Sequence, residues 1–385
     1  MSTAPAMSPP VRASTTEDIP LGAETQWMLI RRRFQKHRLA VAALFVLGVM
    51  YFVAAFAEFF APYSPTWRDL AGAHSPPQLP RFSFEHGLHA YALQRHVDPV
   101  TLRKTYREDR TRVVPLGFFV KGEPTRLAGV IPWERRLIGI DQIRVTRNAS
   151  EPELTFYLLG ADRYGQDIFS RLLFGARVSL SVGMVAIVVT FLLGISVGGL
   201  SGYVGGRVDN VIQRVIEVVN SFPNLPLWLA LGAIMPPAWS PLTTYFAITV
   251  VLSLLNWTSL ARVVRGKILA LREEDYAVAA RLLGASHGRI LFRHLLPGFT
   301  SHIVVVLTLS VPTMILGETA LSFLGLGLRP PIVSWGVLLQ DCLSVQNVAN
   351  YPWLLMPIVP IVVTVLSFNF LGDGLRDAAD PYSSR

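Results

Sequence analysis

Few side chains in this sequence are placed to do chemistry, and their scarcity already narrows the function. Few ionisable residues interrupt otherwise apolar stretches: Glu217, Glu318 and His302, with Glu58 near the far end of the first. A carboxylate inside a membrane-length apolar run is a functional candidate by default, because leaving it unpaired there is costly. Glu318, in Gly317-Glu318-Thr319, could contact a transported solute or hydrogen-bond locally, and the local role is the commoner one. Glu217 sits near the end of its run, where it can reach water. An ion-coupled carrier or channel, the main alternative class, needs more such groups than this. No G-x4-G-K-[ST] phosphate loop is present, since Arg265-Gly266-Lys267 lacks the upstream glycine. Neither a His/Glu metal pattern nor a nucleophile elbow occurs. Cys342 is the only cysteine and can form no internal disulfide or cysteine metal cluster. The expectation is therefore a non-catalytic chain with no cofactor or metal of its own.

The elements around those residues are membrane spans. Of 385 residues, 51% are hydrophobic and 16% charged, against roughly 25% charged in soluble domains. A helix rises about 1.5 Å per residue, so about 20 apolar residues cross the hydrocarbon core. Residues 39–60 and 178–206 meet that requirement. The uncharged run 218–261 is too long for one crossing and holds Pro236, Pro237 and Pro241, so it divides into helices near 215–235 and 243–260. Runs at 299–316 and 353–370 bring the expectation to an all-α membrane protein of about six helices. The first run is too long and too far from the start for a cleaved signal.

Basic residues set the orientation. Arg31, Arg32, Arg33, Lys36 and Arg38 precede the first span, and Arg262, Arg265, Lys267, Arg272, Arg281, Arg289 and Arg293 lie between the fourth and fifth. Loops at 236–241 and 325–352 carry almost no charge. Excess Lys and Arg mark the cytoplasmic side, so both termini are expected there. The net charge of +9 reads the same way rather than as nucleic-acid binding.

Five regions follow: a cytoplasmic segment 1–38, a helix 39–60, an extracytoplasmic insertion 61–177, a membrane core 178–372 with a cytoplasmic loop 262–297, and a cytoplasmic tail 373–385. The insertion is too long for a plain connector. It holds Trp67, Trp133, a charged stretch 103–112 and a β-like apolar run 113–120, which suggests a small, partly ordered unit. A membrane-anchored receptor using that unit is a further alternative. Asn148-Ala149-Ser150 matches a glycosylation sequon by a three-residue pattern only. Gly194, Gly198 and Gly202 repeat every four residues, a spacing that lets membrane helices approach closely. Pro223, Pro226 and Pro312 are expected to kink or break their helices, with Pro312 a possible gating position.

The segment 271–286 reads as a short helix lying on the inner surface. Glu273, Glu274 and Asp275 open it and Arg281 comes late, both favourable for the helix dipole. Gly284 stands where the helix should end and Ser286 where the next, 288–295, should be capped; Pro297 marks re-entry into the membrane. Ala277, Ala279 and Ala280 give a low-relief surface on which a partner could close.

Ala279-Ala280, Gly284 and Leu296-Pro297 resemble the EAA loop of ABC importer permeases, with Val278 and His294 departing from the pattern. Gly160-Ala161-Asp162-Arg163-Tyr164-Gly165-Gln166-Asp167, Gly175-Ala176-Arg177-Val178-Ser179-Leu180, Gly317-Glu318-Thr319-Ala320-Leu321-Ser322-Phe323-Leu324-Gly325, Ser334-Trp335-Gly336 and Gly372-Asp373-Gly374-Leu375-Arg376-Asp377 resemble the dipeptide/oligopeptide/nickel permease family. The resemblance covers about 160–380. It implies a type I ABC importer permease of a bacterial inner membrane that pairs with a homologous second permease, two ATPase subunits and an extracytoplasmic binding protein. ATP would be bound by those partner subunits, and the cargo would be a peptide or a related small solute. It also implies that Glu274, Asp275, Tyr276, Ala279, Ala280, Arg281, Gly284, Leu296 and Pro297 couple the ATPases to the membrane core.

Overall fold

The computed structural model describes residues 26–97, 99–100, 104–145, 153–236 and 238–379. The sequon at Asn148, Pro237 and the outer parts of both terminal segments lie outside the described residues. The amino-terminal helices are α1 (Gln26–Lys36), α2 (Arg38–Ala55) and the single turn α3 (Ala57–Phe60). A four-stranded antiparallel sheet follows, in the order β1 (Arg81–Ser83), β2 (Gly87–Val97), β3 (Lys104–Leu127) and β4 (Ile131–Ile140). The first half of the long β3 pairs with β2 and its second half with β4. The chain then continues through α4 (Ile168–Val204), α5 (Gly206–Ser221), α6 (Asn224–Ala233), α7 (Pro241–Leu271), α8 (Asp275–Leu282), α9 (His287–Arg289), α10 (Thr300–Phe323), α11 (Trp335–Leu338), α12 (Val345–Asn350) and α13 (Ile358–Ala379).

Among the described residues, five helical stretches are long and apolar enough to cross a membrane: Arg38–Ala55, Ile168–Val204, Pro241–Leu271, His287–Phe323 and Pro352–Ala379. The remaining expected span, 215–235, differs. It is replaced by α5 and α6, which separate at Phe222-Pro223 because proline supplies no N–H to continue the ladder. Between them these two pieces carry the chain from the end of α4 to the start of α7. Pro226 sits in the first turn of α6, where a missing N–H does no harm. Pro312 lies inside α10, which runs through it unbroken.

The α4 and α7 helices pack in parallel and closely. A Cβ on Gly198 would lie 2.5 Å from the Ala261 carbonyl oxygen, and one on Gly202 would lie 2.8 Å from that of Arg265. On Gly194 its nearest neighbours would be atoms of the Leu260 side chain, at 2.6 Å and beyond. Backbone cannot retreat as a side chain can. Gly198→Ala is therefore expected to destabilise the protein by about 1–3 kcal/mol and Gly194→Ala by less, read as unfolding temperatures of purified protein in detergent.

The motif 160–171 joins the sheet unit to the helices. The Asp162 carboxylate accepts hydrogen bonds from the backbone N–H of Tyr164 (2.8 Å) and Gln166 (2.9 Å) and forms an ion pair with Arg171. Gly165 has φ +71°, and a Cβ there would fall 1.7 Å from the Asp69 carbonyl oxygen, so only glycine fits. Asp167 caps α4 by accepting from Ser170 N–H at 2.8 Å, and burial pushes its carboxyl up to about 6. The Arg163–Asp341 ion pair (3.0 Å) and the bond from Trp353 Nε1 to the Ala161 carbonyl (3.1 Å) tie this corner to the segment after α10.

Candidate functional site

The loop between α7 and α10 lies at the end of the bundle opposite the sheet. Its short helix α8 follows Glu274, whose carbonyl accepts from Ala277 N–H (2.9 Å) and Val278 N–H (3.0 Å). It ends in a six-residue cap. Ala285 N–H donates to the Ala280 carbonyl (3.1 Å) and Gly284 N–H to that of Arg281 (3.0 Å), with Gly284 at φ +77°. That pair of bonds is a Schellman motif, which requires the left-handed residue that glycine supplies. Ser286 then accepts from Arg289 N–H and starts the next helix, as the sequence suggests.

Two faces of α8 differ in kind. Ala277 is completely buried and Ala280 half-buried, three residues apart on one side. They pack with Ile195, Leu260, Val264, Ile268, Ile290 and Leu295 from the ends of α4 and α7 and the start of the segment leading into α10. Small side chains here let the helix seat directly on the bundle. The sequence-based expectation that all three alanines form an outward surface therefore holds for Ala279 alone. The outward face carries Glu274, Asp275, Tyr276, Ala279 and Arg281, and it continues into Leu282 (84% exposed) and Leu283 (88% exposed). Burial and the neighbouring Glu274 push the Tyr276 phenol up, so it stays a neutral hydrogen-bond donor. Two fully exposed leucines on a short, rigidly capped helix make a surface suited to a partner protein.

Two arginines that sequence reading treated only as positive charge, and a histidine it did not single out, hold this loop in place. Arg272 donates from Nη1 to the carbonyls of Gly202 (3.1 Å) and Tyr203 (3.3 Å), satisfying the last turn of α4. Arg265 grips Asp209 of α5 with two bonds of 2.5 Å. His287 Nδ1 meets Tyr203 Oη at 3.0 Å. The only available signal was that Arg272 follows α7 directly, close to where α4 must end.

Beyond α9 the helix does not restart at Pro297. A wide turn over Ile290–Leu295 and a tight one over Leu296–Phe299 carry it continuously into α10. The wide turn, in which Leu296 N–H reaches the Leu291 carbonyl, relieves the clash that Pro297 would cause in a regular helix. Leu296 is buried beneath the loop and Pro297 is exposed.

Glu318 lies elsewhere, fully buried among α4, α10 and the chain leading into α11. Its carboxylate accepts from Ser334 Oγ (2.7 Å), Ser322 Oγ (2.8 Å) and Ser179 Oγ (3.2 Å). Each hydroxyl in turn accepts a backbone N–H, from Val337 (3.2 Å), Leu328 (3.0 Å) and Trp335 (3.1 Å). Glu318 is thus the acceptor at the centre of a closed network. Pro312 is buried in the same helix, six residues earlier, and shares no hydrogen bond with it. Glu217 pairs with Arg214 at 2.7 Å on the exposed side of α5, and His302 is exposed. Among the described residues no group of three or more His, Cys, Asp or Glu side chains could hold a metal ion.

Residues 175–384 match the family described as binding-protein-dependent transport system inner membrane component, and residues 25–77 match the N-terminal transmembrane domain of oligopeptide transport permease C. The chain is 38% identical to an oligopeptide transport system permease protein, OppC, of Bacillus subtilis, over 61% of its own length and 74% of that protein. It is 35% identical to the dipeptide transport system permease protein DppC of Lactococcus lactis, over 68% and 75%. With the glutathione transport system permease protein GsiD of Pectobacterium atrosepticum it shares 40% identity, over 58% and 72%. The family match covers more than half of the chain, including α8, its cap and the Glu318 network, and the chain belongs to the binding-protein-dependent transport system inner membrane components.

Proposed function

We propose that this permease forms half of a transmembrane pathway for peptides or a related small solute, and that ATP hydrolysis in separate subunits drives it through α8. One observation carries the reading: α8 is seated on the bundle by Ala277 and Ala280 while Tyr276, Leu282 and Leu283 face outward. A push on that face is transmitted to α4, α7 and α10 as a rigid-body movement, because packed elements shift as units rather than deform. Glu274, Asp275 and Arg281 supply polar contacts around it. The partners are two ATPase subunits at the loop end, a homologous permease beside the spans and a binding protein at the sheet end. Basic flanks support a cytoplasmic loop and termini, with the sheet outside. No nucleotide, cofactor or metal is required by the chain itself, and no chemical step occurs on it. The names of the relatives support peptides as cargo.

In proteoliposomes holding the assembled transporter, uptake of labelled di- and oligopeptides is expected to need ATP inside the compartment of the ATPase subunits and to stop when those subunits are stripped. Uptake driven by an ion gradient without them would overturn the coupling reading.

A further inference from the structure

We propose that the tip of the β3–β4 hairpin inserts into the lipid interface beside the end of α2, anchoring the sheet unit to the membrane surface. Residues 127–133, Leu-Ala-Gly-Val-Ile-Pro-Trp, form an uncharged run between Arg126 and Glu134-Arg135. It folds as the reversal between β3 and β4, with Val130 78% and Ile131 56% exposed. Such apolar side chains at the end of a hairpin gain nothing from water.

The height of the tip is fixed by hydrogen bonds. Ala128 N–H donates to Glu58 Oε2 (3.4 Å), just past the end of α2. Glu58 is paired with Arg177 at 2.8 Å, and the same guanidinium donates to the Ala54 (3.1 Å) and Ala55 (2.9 Å) carbonyls, the last of α2. The hairpin tip therefore sits level with the place where the first apolar span ends, not above it. Arg177 is also nine residues into α4, about 13 Å along its axis, so α4 already passes beside the hairpin at this height.

Aromatic side chains continue the surface of the span onto the hairpin. Phe52 is 56% exposed on α2 and contacts Phe60 (6.1 Å between ring centroids), while Phe59 contacts Phe119 (5.9 Å) and Trp133 (6.1 Å). Aromatic rings at this level, with Arg126 and Arg135 exposed nearby, suit the boundary between hydrocarbon and anionic headgroups. The turn itself points the same way. Ala128 and Gly129 have φ +49° and +76°, and Val130 N–H bonds to the Leu127 carbonyl at 3.1 Å. Asn-Gly is the favoured pair for such a turn, and the strained alanine replaces a polar side chain with an apolar one. Continuity with the exposed apolar side of α2, a span-length helix, selects a phospholipid surface as the occupant over a protein.

The test uses the full chain in its purified transporter assembly, with Cys342→Ser and a single cysteine from Val130→Cys carrying a fluorescent reporter. In phosphatidylcholine–phosphatidylglycerol vesicles, nitroxide-bearing lipids are expected to quench the reporter and iodide quenching to be lost. Val97→Cys, at the far end of β2, serves as the aqueous control and keeps its iodide quenching. If Val130→Cys disturbs the turn, Ile131→Cys gives the same reading. Iodide quenching at 130 equal to that at 97 overturns the proposal, and so does protection that arises only when the binding protein is added.

Discussion

Gly284→Pro is expected to abolish ATP-dependent uptake while the protein still inserts and assembles. Proline holds φ near −65°, whereas position 284 has φ +77°, so the ring cannot enter the cap without redirecting the chain. It also removes the N–H that Gly284 donates to the Arg281 carbonyl. Both bonds of the cap are lost, and Leu282 and Leu283, the exposed end of α8, move with it. The spans are untouched, because Gly284 lies outside them and no atom stands within 4 Å of a Cβ built there. That open space makes Gly284→Ala the control. Alanine in the left-handed region costs about 1–2 kcal/mol and meets no neighbour, so uptake should be reduced rather than lost. The measurement is peptide uptake per inserted transporter, together with ATP hydrolysis by the assembly. Full-rate uptake by Gly284→Pro would sink the coupling role of α8.

The contrast between those variants rests on a glycine whose role was legible in the sequence, and much of the membrane part was equally legible. Charge-poor runs reveal spans because hydrocarbon excludes charge; the runs at 178–206, 299–316 and 353–370 fall on long helices, and that at 39–60 on α2 as far as Ala55, with the turn α3 after a break at Phe56. Their ends were harder to place. The helix expected over 243–260 continues to Leu271, since Arg265 is neutralised by Asp209 and the helix outlasts the apolar run. The direction in which α8 faces was not legible. Three alanines in four residues say that something approaches closely, but not whether it is a partner or the chain's own bundle; Ala277 and Ala280 contact the bundle. The sheet was nearly hidden. The long strand Lys104–Leu127 contains proline, glycine and many charges, and only its apolar middle shows the strand signal. Its register depends on β2 and β4, which no local pattern predicts.

Glu318→Ala is expected to be the most damaging single change in the membrane core, and Glu318→Gln one of the mildest changes at a buried charge. In the alanine variant the hydroxyls of Ser179, Ser322 and Ser334 lose their shared acceptor while their own backbone donors stay in place. Each buried group left unsatisfied costs about 1–3 kcal/mol, so a loss on the order of 3–5 kcal/mol follows, with a cavity besides. Glutamine keeps one oxygen where Ser322 and Ser334 donate. Its amide can donate to Ser179 Oγ, which has a lone pair free after accepting from Trp335 N–H. Ser334→Ala removes one donor to the carboxylate and the cap of α11 together, and falls between the two at about 1–2 kcal/mol. Unfolding temperatures of the purified variants give the order, and uptake gives the role. A carboxylate that holds α4, α10 and α11 together predicts that uptake follows stability, with Glu318→Gln active. A carboxylate that meets the cargo predicts a stable Glu318→Gln that no longer transports. The closed geometry around Glu318, with both oxygens occupied and no exposed surface, favours the first outcome.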